Sequence, residues 1–405
     1  MKFKLKPQPN PLKVAIACGG TGGHLFPGVA IADALRDKGH QAILVLSDKR
    51  VDREASARID HPSIVLPSAA WQRGTRLRFA GRLVKGLVAC RSALNVHQPD
   101  AVLAMGGFTS LAPVLIARLQ NRRVFLHESN TVAGRAIRQL SRWADEVFLG
   151  FDCARDSVSR LECQVTGTPV RESLRLLNRE HCCRELGFDP KHPVLLVTGG
   201  SQGALGINRL VINSQPSLKE AIPNIQVLHL CGLHDSEDDI RASYEKNGIV
   251  AQIHPFFNRM DLALGAADAA LGRSGASFMA ELAATRLPSL LIPFPSSVDG
   301  HQLKNAHTLE GAGAAFCLEE SDANPEILTL RIKTLLVDQK KRQTIQQALG
   351  HLDFPDSANR IVSHILTRLG LATEEDMTTE KQGSLKDRNS EAAESGDLKK
   401  AYSIS

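Results

Sequence analysis

The chain has 405 residues, of which 43% are hydrophobic and 23% are charged, and its formal net charge is +6. This is the composition of a soluble globular protein with more than one core, and no apolar run approaches the roughly 18 to 20 residues of a membrane span. The basic N-terminus leads into a cluster of prolines, so it does not resemble a secretion signal. Because the eight cysteines show no CxxC pair and no Cys/His ligand spacing, we expect reduced thiols in a cytoplasmic protein.

Apolar runs typical of strands alternate with helical patterns along the chain, which predicts an α/β fold with parallel sheets covered by helices. Strands are expected at residues 14–18, 42–46, 101–104, 123–126 and 146–149. The pattern resumes with "HPVLLVTGG" and continues at residues 225–230, 251–253, 269–271 and 289–292.

The stretch between residues 167 and 193 lacks a clear strand and contains Thr168-Pro169, which suggests a hinge. We therefore expect a first domain at 1–168, with a helix at about 356–371 packing back onto it, and a second domain at 169–355. The tail at 373–405 has almost no apolar residues and is expected to be disordered.

Two glycine-rich loops occupy the same place in the two predicted halves. "VAIACGGTGG" and "VLLVTGGSQG" are each an apolar strand followed by Gly-Gly, one or two polar residues and a further glycine before a helix. Glycines let backbone amides approach a ligand closely, and a helix N-terminus favours negative charge. Ligands of parallel sheets bind at the carboxyl ends of the strands, so we expect two Rossmann-like domains whose loops face a central cleft.

The first loop fits neither common nucleotide fingerprint. Gly20-Thr21-Gly22 begins the G-x-G-x-x-G pattern, but Leu25 stands at the third glycine, and no Gly-Lys-Ser/Thr follows. Asp48 after the second strand keeps a dinucleotide-binding oxidoreductase open as an alternative, together with a nucleotide-binding regulatory module. His24, at the start of the helix, is a candidate general base.

The second half offers several residues suited to a nucleotide. Arg171 and Ser201 could contact phosphate oxygens, although an exposed arginine and a simple helix N-cap are equally ordinary interpretations. Glu281 follows a helix start at Gly275-Ala276, and a buried carboxylate there could accept two ribose hydroxyls. The amide of Gln302 could recognise sugar hydroxyls.

No Asp or Glu occurs between residues 61 and 99, where apolar residues alternate with cations. The cations of this basic segment are Arg73, Arg76, Arg78, Arg82, Lys85 and Arg91. The pattern predicts an amphipathic helix whose basic face is either simply solvated or bound to anionic lipid headgroups. Few aromatic side chains are available for stacking, which argues against nucleic acid.

Taken in order, the motifs resemble those of the MurG family of GT-B glycosyltransferases. The matching segments, spread over residues 14–369, are "GGTGGHLFPG", "AMGGFTS", "HESNTVAG", "TGTPVR", "GGSQGALGIN", "RSGASFMAEL", "PFPSSVDGHQLKNA" and "EGAGAA". The resemblance implies an inverting transfer of N-acetylglucosamine (GlcNAc) from UDP-GlcNAc to undecaprenyl-pyrophosphoryl-N-acetylmuramyl-pentapeptide in peptidoglycan synthesis. A diacylglycerol glycosyltransferase and a UDP-sugar epimerase remain alternatives within the same architecture.

The resemblance also implies roles for individual residues. His24 is the candidate catalytic base, and the turn at residues 106–108 adds contacts to the acceptor. The implied substrate-binding residues are Thr21, Gly22, Gly23, Asn130, Arg171, Ser201, Phe257, Ala276, Ser277, Phe278, Met279, Ala280, Glu281 and Gln302. No Asp-x-Asp motif is visible, so neither a metal nor a cofactor is expected. The implied location is peripheral, on the cytoplasmic face of the inner membrane, with the basic segment on anionic lipids.

Overall fold

The computed structural model describes residues 11–49, 52, 59–67, 76–158, 162–200 and 203–372, without the side chains of residues 76–80. The chain divides into two compact units. The first unit comprises Met1–Glu128, Ala133–Pro169 and Asp356–Ser405, and the second comprises Ser129–Val132 and Val170–Pro355. The predicted disordered tail lies outside the described residues.

The first unit contains a seven-stranded parallel sheet in the order β3-β2-β1-β4-β5-β6-β7. Its strands are β1 (Lys13–Ala17), β2 (Gln41–Ser47), β3 (Ser63–Leu66), β4 (Ala101–Ala104), β5 (Arg123–Glu128), β6 (Glu146–Leu149) and β7 (Cys163–Val165). In the central register, Ile16 of β1 lies opposite Leu44 on one side and Leu103 on the other. Such continuous apolar runs are typical of strands covered by helices on both faces.

The second unit contains a six-stranded parallel sheet in the order β10-β9-β8-β11-β12-β13. Its strands are β8 (Val194–Thr198), β9 (Gln226–Leu230), β10 (Val250–His254), β11 (Ala269–Gly272), β12 (Ser289–Leu291) and β13 (Phe316–Cys317). The prediction of two parallel sheets in an α/β fold is confirmed.

Helices alternate with the strands in both units. They are α1 (Gly22–Asp37), α2 (Arg76–His97), α3 (Leu111–Leu119), α4 (Arg135–Leu140), α5 (Arg179–Glu185), α6 (Leu205–Ala221), α7 (Glu237–Lys246), α8 (Met260–Ala266), α9 (Ala276–Thr285), α10 (His301–Gly311), α11 (Pro325–Val337), α12 (Gln339–His351) and α13 (Ser357–Arg368). Within the described part of the chain, none of these helices combines the length and apolarity needed to cross a bilayer. All eight cysteines are free thiols.

The helix α13 completes one face of the first sheet although it comes from the far end of the chain. Its buried Ile361 and Ile365 join a cluster that contains Leu25 of α1 and Phe148 of β6. At its end, Arg368 Nε donates to the fully buried Glu146 carboxylate at 3.1 Å. Apolar packing and a charge-assisted hydrogen bond therefore both hold α13 on the sheet.

Three strands were missed by the sequence analysis, and all three are short and lie at or near a sheet edge. The strand β3 lies between Pro62 and Pro67, β7 has three residues, and β13 has only two. Short edge strands are half-buried and carry too few residues for an apolar run to stand out. The predicted ends also shift slightly, as in β5, which extends to Glu128.

Candidate active site

The first glycine loop, residues 19–23, follows β1, includes the first two residues of α1 and is held by a buried carboxylate. Asp52 is fully buried, and its Oδ2 accepts hydrogen bonds from the backbone nitrogens of Gly20 at 2.7 Å and Ser47 at 2.8 Å. A β-carbon on Gly19 would lie 2.5 Å from the Ser47 nitrogen, and Gly20 has a φ of 107°. The loop therefore requires glycine at both positions for its own conformation.

The helix α1 packs closely against the end of β1. A β-carbon on Gly28 would lie 2.6 Å from the Cys18 β-carbon. In the dinucleotide fingerprint, the third glycine allows this close packing of helix on strand. Here Gly28 has that role, three residues after Leu25, which occupies the position of the third glycine.

The imidazole of His24 lies against the turn that follows β4. Its Nδ1 is 3.3 Å from the Thr21 hydroxyl. A β-carbon on Gly107 would lie 3.0 Å from His24 Cε1, and one on Gly106 would lie 3.3 Å from Nε2. The Thr109 hydroxyl ties this turn to the first glycine loop by donating to the Gly19 carbonyl at 2.7 Å. The structure therefore brings together the motifs "GGTGGH" at residues 19–24 and "GGFTS" at residues 106–110.

His127 and Glu128 at the end of β5 are buried polar residues near this region. His127 Nε2 donates to the Gly167 carbonyl at 3.0 Å, which places its proton on Nε2. Burial is the main cause that lowers the pKa of His127 to about 4, while the hydrogen bond to Gly167 opposes this shift and His24 contributes a smaller lowering. His127 is therefore neutral at pH 7. Glu128 Oε2 accepts a hydrogen bond from the Gly134 nitrogen at 2.7 Å.

Asn130 belongs to the stretch Ser129–Val132, which clusters with the second unit rather than with the predicted domain 1–168. The fully buried Asn305 of α10 explains this grouping. Its Nδ2 donates to Asn130 Oδ1 at 3.1 Å and to the Ser274 carbonyl at 3.0 Å. Its Oδ1 accepts from the Thr131 nitrogen at 3.1 Å and the Thr131 hydroxyl at 3.0 Å. One amide therefore fixes Asn130 relative to the loop before α9.

Glu281 of α9 and Arg171 are neighbours in the second unit. Glu281 is buried, and its Oε1 lies 3.7 Å from Arg171 Nη2. Burial raises the pKa of Glu281 to about 7, and the opposing effect of the Arg171 guanidinium is smaller. Both the acid and the carboxylate are therefore populated at neutral pH. A buried carboxylate that is partly ionised at neutral pH suits a ligand that donates hydrogen bonds to it.

The other predicted donor residues of α9 form its first turns, since the helix begins at Ala276 with Gly275 as N-cap. Ala276 and Met279 are buried, whereas Ser277, Phe278 and Ala280 are half-buried. Elsewhere in the unit, Phe257 follows β10, and its ring centroid lies 4.9 Å from that of His254.

Gln302 in the first turn of α10 has a fixed amide orientation. Its Oε1 accepts from the Phe294 nitrogen at 2.9 Å, so the amide nitrogen is the end left to donate to a ligand. The helix start is held further by the Ser274 hydroxyl, which donates to the Gln302 carbonyl at 2.7 Å.

The second glycine loop, residues 199–203, is also sterically demanding. Gly203 has a φ of 76°, and a β-carbon on it would lie 2.6 Å from the Cys231 carbonyl oxygen. Ser201, the loop residue predicted to contact phosphate, lies outside the described residues.

Comparison with known proteins gives a match in each half of the chain. The glycosyltransferase family 28 N-terminal domain matches residues 14–149, and the C-terminal domain of the same family matches residues 194–361. A Pelobacter propionicus protein is 35% identical, and the match covers 88% of this chain and 99% of that protein. It is named UDP-N-acetylglucosamine–N-acetylmuramyl-(pentapeptide) pyrophosphoryl-undecaprenol N-acetylglucosamine transferase. The chain belongs to the MurG family of glycosyltransferases.

A second relative with the same name and a solved MurG structure support this assignment. A Geobacter sulfurreducens protein of the same name is 33% identical, and the match covers 88% of this chain and 98% of that protein. The crystal structure of Acinetobacter baumannii MurG aligns with a TM-score of 0.67 at 25% identity, covering 88% of this chain and all of that one. A UDP-N-acetylglucosamine 2-epimerase aligns with a TM-score of 0.64 at 16% identity and shares only the fold. The resemblance to the MurG family and the GT-B fold class are therefore confirmed.

Proposed function

We propose that this chain transfers GlcNAc from UDP-GlcNAc to the 4-hydroxyl of undecaprenyl-pyrophosphoryl-N-acetylmuramyl-pentapeptide in peptidoglycan synthesis, with inversion at the anomeric carbon. The observation that carries this proposal is the relatedness over 88% of the chain to proteins whose names state this donor and acceptor. The match covers 98% and 99% of the length of those two relatives.

We assign the acceptor chemistry to the first unit. In this proposal, His24 removes the proton of the attacking hydroxyl as the C–O bond to GlcNAc forms. The Thr21 hydroxyl beside Nδ1 and the glycine turn against the ring support this role, because both restrict the orientation of the imidazole. Gly22 and Gly23 leave room for the diphosphate at the N-terminus of α1.

We assign the donor to the second unit. Glu281 accepts the ribose hydroxyls, and Arg171 together with Ser201 and helix N-termini stabilises the charge that develops on the departing UDP. The amide nitrogen of Gln302 donates to sugar hydroxyls, and Asn130 adds a polar contact. The first turns of α9 surround the nucleotide, and the backbone near Phe257 holds the uracil. No step in this scheme requires a metal.

A product assay tests the proposed reaction. We expect the purified chain to release one UDP for each disaccharide formed from UDP-GlcNAc and the lipid-linked muramyl acceptor. Diacylglycerol in place of that acceptor should give no UDP. Conversion of UDP-GlcNAc into another UDP-sugar without acceptor, or binding of NAD(P) but not UDP, would contradict the proposal.

We also propose that α2 binds anionic lipids and keeps the protein peripheral, on the cytoplasmic face of the inner membrane. Arg82 and Lys85 of α2 are exposed. Val84, which lies between them, is 58% exposed, and Val88, which follows them, is 65% exposed. Exposed cations next to exposed apolar side chains suit a surface of acyl chains and lipid phosphates. Arg73 lies outside the described residues, and the side chains of Arg76 and Arg78 are among those not described.

Reversing the charge of Arg76, Arg82 and Lys85 to glutamate should weaken binding to anionic vesicles by about 100-fold or more, since each cation near such a surface contributes on the order of 1 kcal/mol. Vesicle co-sedimentation measures the change, and activity on a short-chain soluble acceptor should stay near wild type. A matched control reverses three exposed lysines of the second unit, Lys191, Lys333 and Lys340. Equal vesicle binding by the two triple variants would reject α2 as the lipid-binding surface.

A further inference from the structure

A cluster of three metal-ligating side chains connects the last turns of α10 to β13. One ligand atom each from His307, Glu310 and Cys317 lies within 4.8 Å of the other two. From this geometry we propose that the three residues bind a divalent cation of the zinc class. The proposal is independent of the transferase reaction, and it departs from the expectation drawn from the sequence that no metal is bound.

The backbone presents the three ligands to a common point. His307 and Glu310 are three residues apart on α10 and share one face of the helix. Cys317 is held on the sheet by the pairing of β13 with β12, opposite Leu291. Its backbone nitrogen donates to Glu310 Oε1 at 2.9 Å, which keeps that carboxylate beside the thiol. The buried Ala306 and Leu309 anchor the same stretch of helix.

Closing the site around an ion requires only small side-chain movements. Tetrahedral zinc with bonds of roughly 2.0 to 2.3 Å separates its ligand atoms by about 3.5 Å. The observed upper limit of 4.8 Å therefore leaves about 1 Å to close. Because His307 and Glu310 are exposed, their side chains can rotate without disturbing the core.

The ligand types select the class of cation. An imidazole nitrogen, a carboxylate oxygen and a thiolate sulfur together suit Zn²⁺ and its neighbours in the transition series, whereas Mg²⁺ and Ca²⁺ prefer oxygen ligands alone. Three protein ligands leave a fourth position for water.

The electrostatic surroundings of the cluster also favour a cation. The carboxylates of Glu310 and Glu319 lie close enough to Cys317 to act on its thiol electrostatically. The same two carboxylates attract a positive ion to the thiol. On binding, the Sγ–H bond breaks, a sulfur–metal bond forms, and the proton passes to solvent.

A bound ion would join the end of α10 to the edge of the second sheet. The same helix carries Gln302 and the buried Asn305 at its other end. An ion that binds only the folded arrangement raises the stability of this unit in proportion to the logarithm of its free concentration.

Titration of the reduced, full-length protein with Co²⁺ tests the proposal. We expect one Co²⁺ per chain, with the ultraviolet charge-transfer band of a thiolate ligand, and displacement of that band by Zn²⁺. Cys317→Ser should lose the band, and His307→Ala should weaken Zn²⁺ binding at least tenfold. Cys153→Ser is the matched control, because Cys153 is the exposed cysteine outside the cluster, and it should behave as wild type.

In the titration, the proposal would be overturned by the absence of a thiolate band in the wild-type protein or by a band of equal strength in Cys317→Ser. Thermal unfolding with and without saturating Zn²⁺ gives a second readout. The midpoint should rise in the wild type and in Cys153→Ser and should rise less in His307→Ala, whose exposed substitution leaves the fold intact. An equal rise in all three proteins would place the ion elsewhere.

Discussion

Replacing His24 with alanine is expected to lower kcat by a factor of about 10² to 10⁴, the usual contribution of a general base. The KM for UDP-GlcNAc should change little, because the proposed donor contacts belong to the second unit. Thr21 and the Gly106–Gly107 turn restrict the orientation of the imidazole. The substitution therefore removes a group that is already oriented, and the full contribution of the base should be lost. Initial rates with saturating lipid-linked acceptor measure the effect.

The exposed histidine of α5 provides the control. His181→Ala removes an imidazole of the second unit and should keep wild-type kcat. His24→Gln retains hydrogen bonding to Thr21 without an accessible proton-accepting nitrogen, so it should be nearly as slow as the alanine variant. A kcat near wild type in either His24 variant would show that another group removes the proton.

Replacing Glu281 with alanine is expected to raise the KM for UDP-GlcNAc by roughly ten- to a hundredfold for each ribose hydrogen bond lost, because hydrogen bonds to a charged group contribute about 1.5 to 3 kcal/mol each. The variant should also lose its preference for ribose over 2′-deoxyribose nucleotides. Steady-state kinetics with the two donors measure both effects. Glu245→Ala, which removes an exposed glutamate of α7, should change neither.

The raised pKa of Glu281 makes donor binding depend on pH in a defined direction. Since this pKa is about 7, lowering the pH through 7 converts the carboxylate into the neutral acid, which accepts hydrogen bonds less strongly. The affinity for UDP-GlcNAc should therefore fall from pH 8 to pH 6 in the wild type and stay flat in Glu281→Gln. If the affinity of Glu281→Gln fell with pH as steeply as that of the wild type, Glu281 could not be assigned to the ribose site.

The strands that could be predicted are those whose apolar pattern is complete within a few consecutive residues. Central strands such as β1 and β8 are buried on both faces, so they read as continuous apolar runs that end in glycine loops. The edge strand β13 has two residues and depends on its neighbour β12 for its conformation. Nothing within such a short segment distinguishes it from a loop.

The same distinction applies to the candidate site. His24, Glu281 and Gln302 were predicted because each belongs to a motif that is recognisable within ten residues. Asp52 and Asn305 were missed because their importance comes from partners far away in the chain. His127 and Glu128 could have been found, because they are two polar residues at the end of an apolar strand. Only Asn130 was predicted from their motif, "HESNTVAG".

The return of α13 to the first sheet has a consequence for synthesis on the ribosome. Ile361 and Ile365 are translated after the whole of the second unit, yet they cover Phe148 and Leu25 of the first. Until α13 emerges, this apolar face of the nascent first unit stays open, while almost all of the second unit is already available to fold. The apolar core of the first unit can therefore be completed only after the second unit has been translated.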